Sequence, residues 1–224
     1  MNEMKKMKEG WDSLWTAKSK EKIRDLKLRP RPRQKRAINV LDRYVHSGRT
    51  VCEAGCGSGF YSWYFISKGC RVYCIDYSEK AIELAKKTTE GKAEKYLVRN
   101  LLDEGLALEF KNTFDLIYTD GLFEHFSKSE QRKLMDNLIA MKKENGIIVT
   151  FVPNILTYWE LIRRIFLKIP GVWEKAFTMR RLTTLVRESG QEIIEKGGIH
   201  ALPFNYSPEI LARWIGSSIY VVSR

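Results

Sequence analysis

The sequence predicts a doubly wound α/β fold: a seven-stranded, mostly parallel sheet with helices on both faces. Two observations predict it. From Arg49 onward, apolar runs of strand length alternate with segments of helical spacing, a rhythm that implies right-handed crossovers between parallel strands. Directly behind the first run, "TVCEA", stand three glycines on alternate positions, Gly55, Gly57 and Gly59. Glycines there suit a tight turn from a central strand into a helix.

The elements follow in order. Residues 2–28 carry Met4, Met7, Trp11, Leu14 and Trp15 at three-to-four-residue spacing, which predicts a short amphipathic helix. The run "LRPRPRQKR" breaks it, because Pro30 and Pro32 cannot sustain helix hydrogen bonding. Apolar residues return to helical spacing from Gln34 to Tyr44. Strands are then predicted at 50–54, 71–76, 95–99, 114–119, 146–152, 191–195 and 218–223, and helices at 59–68, 79–88, 129–143, 179–189 and 208–215. Ser78, the pair Ser127 and Glu130, and Ser207 before Pro208 supply helix-capping signals. The segment 155–170, "ILTYWELIRRIFLKIP", interrupts the rhythm. Its apolar residues share one broad helical face and Glu160, Arg163, Arg164 and Lys168 the other, so it reads as an amphipathic insertion. No linker or repeat divides the 224 residues, which read as one domain with an N-terminal helical cap (1–36) and an inserted lid (about 154–178).

The net charge of +12 is unevenly placed. Residues 1–36 hold 13 Lys and Arg against 5 Asp and Glu, and residues 155–187 hold 7 against 2. Two basic zones on a neutral body point to an anionic partner, or to solvated surfaces. No stretch approaches the roughly 18 apolar residues of a spanning helix. The polar N-terminus has no apolar core of a secretory signal, so a cytoplasmic location is expected. Cys52, Cys56, Cys70 and Cys74 lack the spacing of a zinc site, and three of them fall in or beside strand-like runs; buried thiols are expected, and no metal.

A ligand of an open parallel sheet sits beyond the carboxyl ends of its strands, near the switch in strand order. Glu53 to Gly59 ends the first strand there, and Asp76 ends the second, where a carboxylate can accept hydrogen bonds from both hydroxyls of a ribose. The pattern reads as a nucleoside site. The glycine spacing departs from Gly-x-Gly-x-x-Gly, and no Gly-Lys-Ser/Thr follows to make a P-loop.

Glu-Ala-Gly-Cys-Gly-Ser-Gly (53–59), "VYCIDYS" (72–78), "FDLIYTDGLFEHF" (114–126) and "GIIVTFVPN" (146–154) together resemble the class I S-adenosylmethionine-dependent methyltransferases, of the broad small-molecule group that includes quinone-biosynthesis enzymes. The resemblance implies a Rossmann-like sheet with its last strand antiparallel, S-adenosyl-L-methionine as cofactor and S-adenosyl-L-homocysteine as product. It implies that Gly55, Cys56, Gly57 and Gly59 border the methionine part, with Glu53 holding the loop or the amino group through water. Asp76 would bind the ribose, Tyr77 would lie against the adenine, and Asn100 and Leu101 would sit at its edge. Many relatives carry Asp where Asn100 stands. Asp120 and Gly121 would face the methionine end.

His125, in the loop after the fourth strand, is the expected base or substrate-orienting group, because imidazole titrates near neutrality. The fourth strand lacks the Asn/Asp-Pro-Pro-Tyr of enzymes that methylate exocyclic base amines, and no Pro-Cys pair stands where cytosine-C5 enzymes keep theirs. The basic, aromatic-rich cap and insertion point to a small or amphiphilic acceptor, anionic in character, with peripheral membrane contact as one version. Two rivals stand beside it: an RNA methyltransferase using residues 29–36 and Arg180–Arg181 on phosphates, and a cofactor-binding regulatory subunit that moves no methyl group. Monomer and homodimer are both compatible with the sequence.

Overall fold

The computed structural model describes residues 3–18, 30–157, 175–201 and 209–224. Helices α1 (Glu3–Lys18) and α2 (Pro32–Leu41) precede the sheet. Then come β1 (Thr50–Ala54), α3 (Phe60–Ser67), β2 (Arg71–Asp76), α4 (Glu79–Thr88), β3 (Lys95–Val98), α5 (Glu104–Glu109) and β4 (Phe114–Asp120). A 3₁₀ turn (Phe123–His125), α6 (Lys128–Met141), β5 (Lys142–Pro153), α7 (Met179–Glu188), β6 (Ile193–Ile199), α8 (Glu209–Ile215) and β7 (Ser218–Ser223) complete the order.

The strands form one sheet in the order β3-β2-β1-β4-β5-β7-β6. β1 pairs in parallel with β2 and β4, and β7 runs antiparallel to both β5 and β6. Strand order therefore reverses between β1 and β4, and the glycine loop leaves β1 at that reversal.

Alternation along the strands divides the core between the two faces. Val51, Val72, Leu116, Tyr118 and Val149 point to one side, where α2, α3 and α4 bury Leu41, Phe65 and Ala85. Cys52, Ile75, Ile117, Ile148 and Val221 point to the other, against Leu106 of α5, Leu134 and Leu138 of α6 and Leu182 of α7. All four cysteines are buried as free thiols, and burial holds those of Cys52, Cys56 and Cys70 above their ordinary pKa.

The caps form as the sequence implies. The Ser78 hydroxyl accepts from the Ala81 amide at 3.1 Å. Ser127 and Glu130 make a reciprocal capping box. Asp103 and Thr178 cap α5 and α7 in the same manner.

Three differences from the sequence expectation have physical causes. Helix α6 ends at Met141 and β5 begins immediately at Lys142, with a register shift between Phe114 and Leu116 absorbing the junction. β6 begins later than expected and continues through Gly197 and Gly198 to Ile199. Glycines usually signal a break, but a Cβ at Gly197 would lie 2.7 Å from the Tyr220 hydroxyl, so the missing side chain lets a ring cross the strand. α5 is only six residues long, too short for its periodicity to register. The N-terminal helix is described only to Lys18, and residues 19–29 lie outside the described residues. So do residues 158–174, which hold most of the amphipathic insertion, and the Ser207-Pro208 cap.

Candidate functional site

The carboxyl ends of β1, β2, β3 and β4 open onto a cavity of about 790 Å³, roofed by α1 and bounded on one side by the start of α2. Its position follows from the strand-order reversal. Glu53, Gly55, Cys56, Gly57, Asp76, Tyr77, Asn100, Leu101, Asp120, Gly121 and His125, all expected from the sequence, line it. Gly59 does not.

The glycine loop has two different reasons for its glycines. Gly59 adopts φ +71° as the residue before α3, and a Cβ there would meet the Ala85 main chain at 2.7 Å. It lets α3 pack on α4 and does not border the cavity, which corrects the expectation for this position. Gly57 has φ +49°, and a Cβ would lie 2.6 Å from the Trp15 indole. The space expected for a ligand's approach over Gly57 is thus shared with a side chain of α1.

With glycine before it, α3 has no side-chain cap of its own. Glu53 supplies one from β1: its carboxylate accepts from the Ser62 amide at 2.7 Å and from the Ser62 hydroxyl. Burial, with only 4% of the residue exposed, drives its pKa well above the ordinary carboxylate range. Glu53 therefore sits on the cavity wall as a loop-holding group.

Asp76 is built as an acceptor. Its two carboxylate oxygens accept from Gly57 N and Ser78 N, each at 2.9 Å. An ionised carboxylate offers about four lone-pair positions, so accepting capacity remains for a ligand. Burial raises its pKa to about 6; the Ser78, Gly57 and Tyr77 amides oppose the rise, and the Asp12 carboxylate adds to it. The Tyr77 ring beside it lies under the Lys8 ammonium at 5.8 Å.

At the next strand end, the Asn100 side-chain oxygen accepts from Leu102 N at 3.0 Å. The side chain expected at the adenine edge is thus already shaping the turn, with one lone pair of its carbonyl left over. Asn137 fixes Leu101 by donating to its carbonyl at 2.9 Å.

The Asp120 carboxylate is gripped by Arg33 of α2, whose Nη1 donates to Oδ2 at 3.0 Å and whose Nη2 donates to Oδ1. Arg33 Nε also donates to the Ser218 hydroxyl at 2.9 Å, tying α2, β4 and β7 together. Burial works against the guanidinium charge, yet the Asp120 carboxylate holds it protonated, above its ordinary pKa. The hydroxyls of Tyr61 and Tyr118 beside this pair are buried, and burial raises both.

His125 is 8% exposed, with its Nε2 3.9 Å from Glu124 Oε1 and its ring edge-on to Trp11 at 4.7 Å. His200 also lines the cavity, its Nδ1 3.3 Å from the Ser217 hydroxyl, and burial followed by Arg36 and Arg33 lowers its pKa. His46 is exposed.

Arg33, Trp11 and Trp15 are the site residues that sequence reasoning did not assign. Arg33 lies in a run of cations with no local sign that one of them turns inward. The Trp11 and Trp15 spacing showed an apolar face, and nothing in it showed what that face covers.

A family model described as "Methyltransferase domain" matches residues 51–146. The chain is 33% identical over 129 residues to a ribosomal protein L11 methyltransferase of Dictyoglomus turgidum, covering 49% of this chain and 42% of that protein. It is 30% identical over 90 residues to a ubiquinone biosynthesis O-methyltransferase of Nitrosomonas europaea, covering 39% and 38%. The match thus spans less than half the length of these relatives. In fold, the chain is similar to the crystal structure of a SAM-dependent methyltransferase from Archaeoglobus fulgidus, with a TM-score of 0.67 and 17% identity over 89% of this chain and 96% of that one. Residues 51–146 thus match a methyltransferase domain, and the fold around them is similar to that of solved S-adenosylmethionine-dependent methyltransferases.

Proposed function

We propose that this cavity binds S-adenosyl-L-methionine and that the protein transfers its methyl group to an O, N or C atom of a small or amphiphilic acceptor of anionic character. The observation that carries the reading is convergence. An acceptor carboxylate (Asp76), an adjacent aromatic ring (Tyr77), a glycine-bordered loop (Gly55 to Gly57) and His125 open onto one cavity. These residues fit a nucleoside with a charged sulfur. Asp76 would hold the ribose hydroxyls, Tyr77 and Leu101 the base, and the Gly55–Gly57 backbone the methionine part. When bound, the cofactor supplies an electrophilic methyl group on a sulfonium.

What remains for the chain is to hold an acceptor in line, exclude water and take a proton where the acceptor carries one. The roof of α1 and the Phe60, Leu122 and Phe126 side chains exclude water. His125 would take the proton, and Glu124, 3.9 Å from its Nε2, would orient and stabilise the imidazolium. Arg31 also lines the cavity and favours an acceptor that carries negative charge.

The RNA reading keeps the net charge of +12 in its favour. Against it, Arg33 of the basic run is committed to Asp120 inside the cavity. Incubating the protein with cell extract and methyl-labelled cofactor, then partitioning the products, tests the proposal. Label in an organic-soluble or small anionic fraction is expected. Label confined to RNA or protein, or no label at all, would overturn the acceptor class.

A further inference from the structure

The sequence reads residues 1–36 as a cap without assigning any single residue of α1 to the site, and Trp11, Leu14 and Trp15 line it. Trp11 and Trp15, one helical turn apart, stack with ring centroids 6.3 Å apart and planes 18° from parallel. Trp15 lies against Gly57 at one end, and Trp11 meets His125 at the other. The pair therefore spans from the glycine loop to the turn after β4, the half of the cavity where the proposed function places the methionine part. Polar contacts fix the helix over that half: Lys8 Nζ is 2.9 Å from Glu79 Oε1, and the Ser78 hydroxyl donates to Asp12.

Charge bookkeeping in this half of the cavity gives the pair its role. A sulfonium cation brought there needs electron density around it. Glu53 is driven toward its neutral form by burial and is engaged by Ser62. Asp120 is neutralised by Arg33. Glu124 is turned toward His125. The indoles of Trp11 and Trp15 line the same half, and a cation over an aromatic face is attracted by the ring quadrupole, more strongly where water is excluded.

We propose that Trp11 and Trp15 of α1 are cofactor-contacting residues that recognise the positive charge on sulfur, so that the protein holds the charged methyl donor in preference to its neutral demethylated product. The inference rests on the methyltransferase reading of this cavity and adds to it a determinant of donor-over-product selectivity. Discrimination arises at the sulfur, which carries the methyl group and its charge in one ligand and neither in the other, since the two share the adenosine and amino-acid parts that the remaining residues hold. It also gives product release a physical cause: the attraction vanishes once the methyl group, and with it the charge, has left sulfur.

Isothermal titration calorimetry with S-adenosylmethionine and S-adenosylhomocysteine tests it on the full chain carrying Trp11→Leu, Trp15→Leu or Trp15→Phe. The leucine variants should lose at least about threefold in affinity for the charged ligand while changing less than twofold toward the neutral one, and phenylalanine should restore most of the difference. Retained affinity for the neutral ligand also reports that each variant is folded. Equal weakening toward both ligands, or no change toward either, would overturn the charge-recognition role and leave the methyltransferase reading intact. A wild-type chain that binds neither ligand would instead remove the reading beneath it.

Discussion

At the scale of single residues, Asp76 and His125 carry the sharpest expectations. The Asp76 carboxyl has a folded pKa of about 6 against an ordinary 3.8, because burial penalises its charge. Ionising it therefore costs the ligand-free fold stability as pH rises from about 4 to about 6, whereas sugar hydroxyls require the ionised form as acceptor. Cofactor affinity should accordingly strengthen as pH rises through 6, by about tenfold between pH 5 and pH 7.5, and Asp76→Asn should be weak at both; calorimetry at the two pH values checks this. An affinity independent of pH would remove Asp76 from the binding set. For His125, substitution by glutamine keeps a hydrogen-bonding side chain of similar reach but removes the base. Turnover should drop about a hundredfold while S-adenosylhomocysteine affinity stays within threefold, a separation that steady-state kinetics and calorimetry together measure.

Among the elements, the glycine loop and α3 depend on one another. Gly59→Val would demand a β-branched residue at φ +71° and drive its Cβ into the Ala85 main chain at 2.7 Å. The loss should be about 2 kcal/mol or more, read as a lowered midpoint in urea; an unchanged midpoint would mean that α3 and α4 do not meet as described. Much at this scale was legible in the sequence. Ser78, Ser127 and Glu130 announce their helices because capping is a local interaction between neighbours in the chain. The extension of β6 through Gly197 was not legible, because its cause, the ring of Tyr220, arrives from 23 positions away. The Glu53 cap on α3 escaped notice for the same reason: the sequence shows a strand carboxylate and a serine, and only the turn of the loop brings them to 2.7 Å.

Across the whole molecule, α2, β4 and β7 are joined at the cavity by Arg33, Asp120 and Ser218. Asp120→Asn leaves the guanidinium, whose side chain is only about one-third exposed, without its counter-charge. Stability should fall by about 1–3 kcal/mol, between the values for exposed and for fully buried pairs, and the loss should shrink if Arg33→Met accompanies it. A double-mutant cycle in urea measures the coupling, and additive losses would contradict it. The sequence exposed half of this site. Asp76 and the loop follow from strand ends, which periodicity locates, and the family resemblance adds Tyr77, whereas Arg33, Trp11 and Trp15 come from helices outside the alternating core, whose docking is a tertiary matter. All of these readings rely on the cavity accepting an adenosine ligand. Titrating purified wild-type protein with S-adenosylhomocysteine in a calorimeter tests that most directly: the account predicts saturable heat at one site per chain, abolished or strongly weakened by Asp76→Asn. Absence of saturable heat from folded protein, or heat that the substitution leaves untouched, would contradict it.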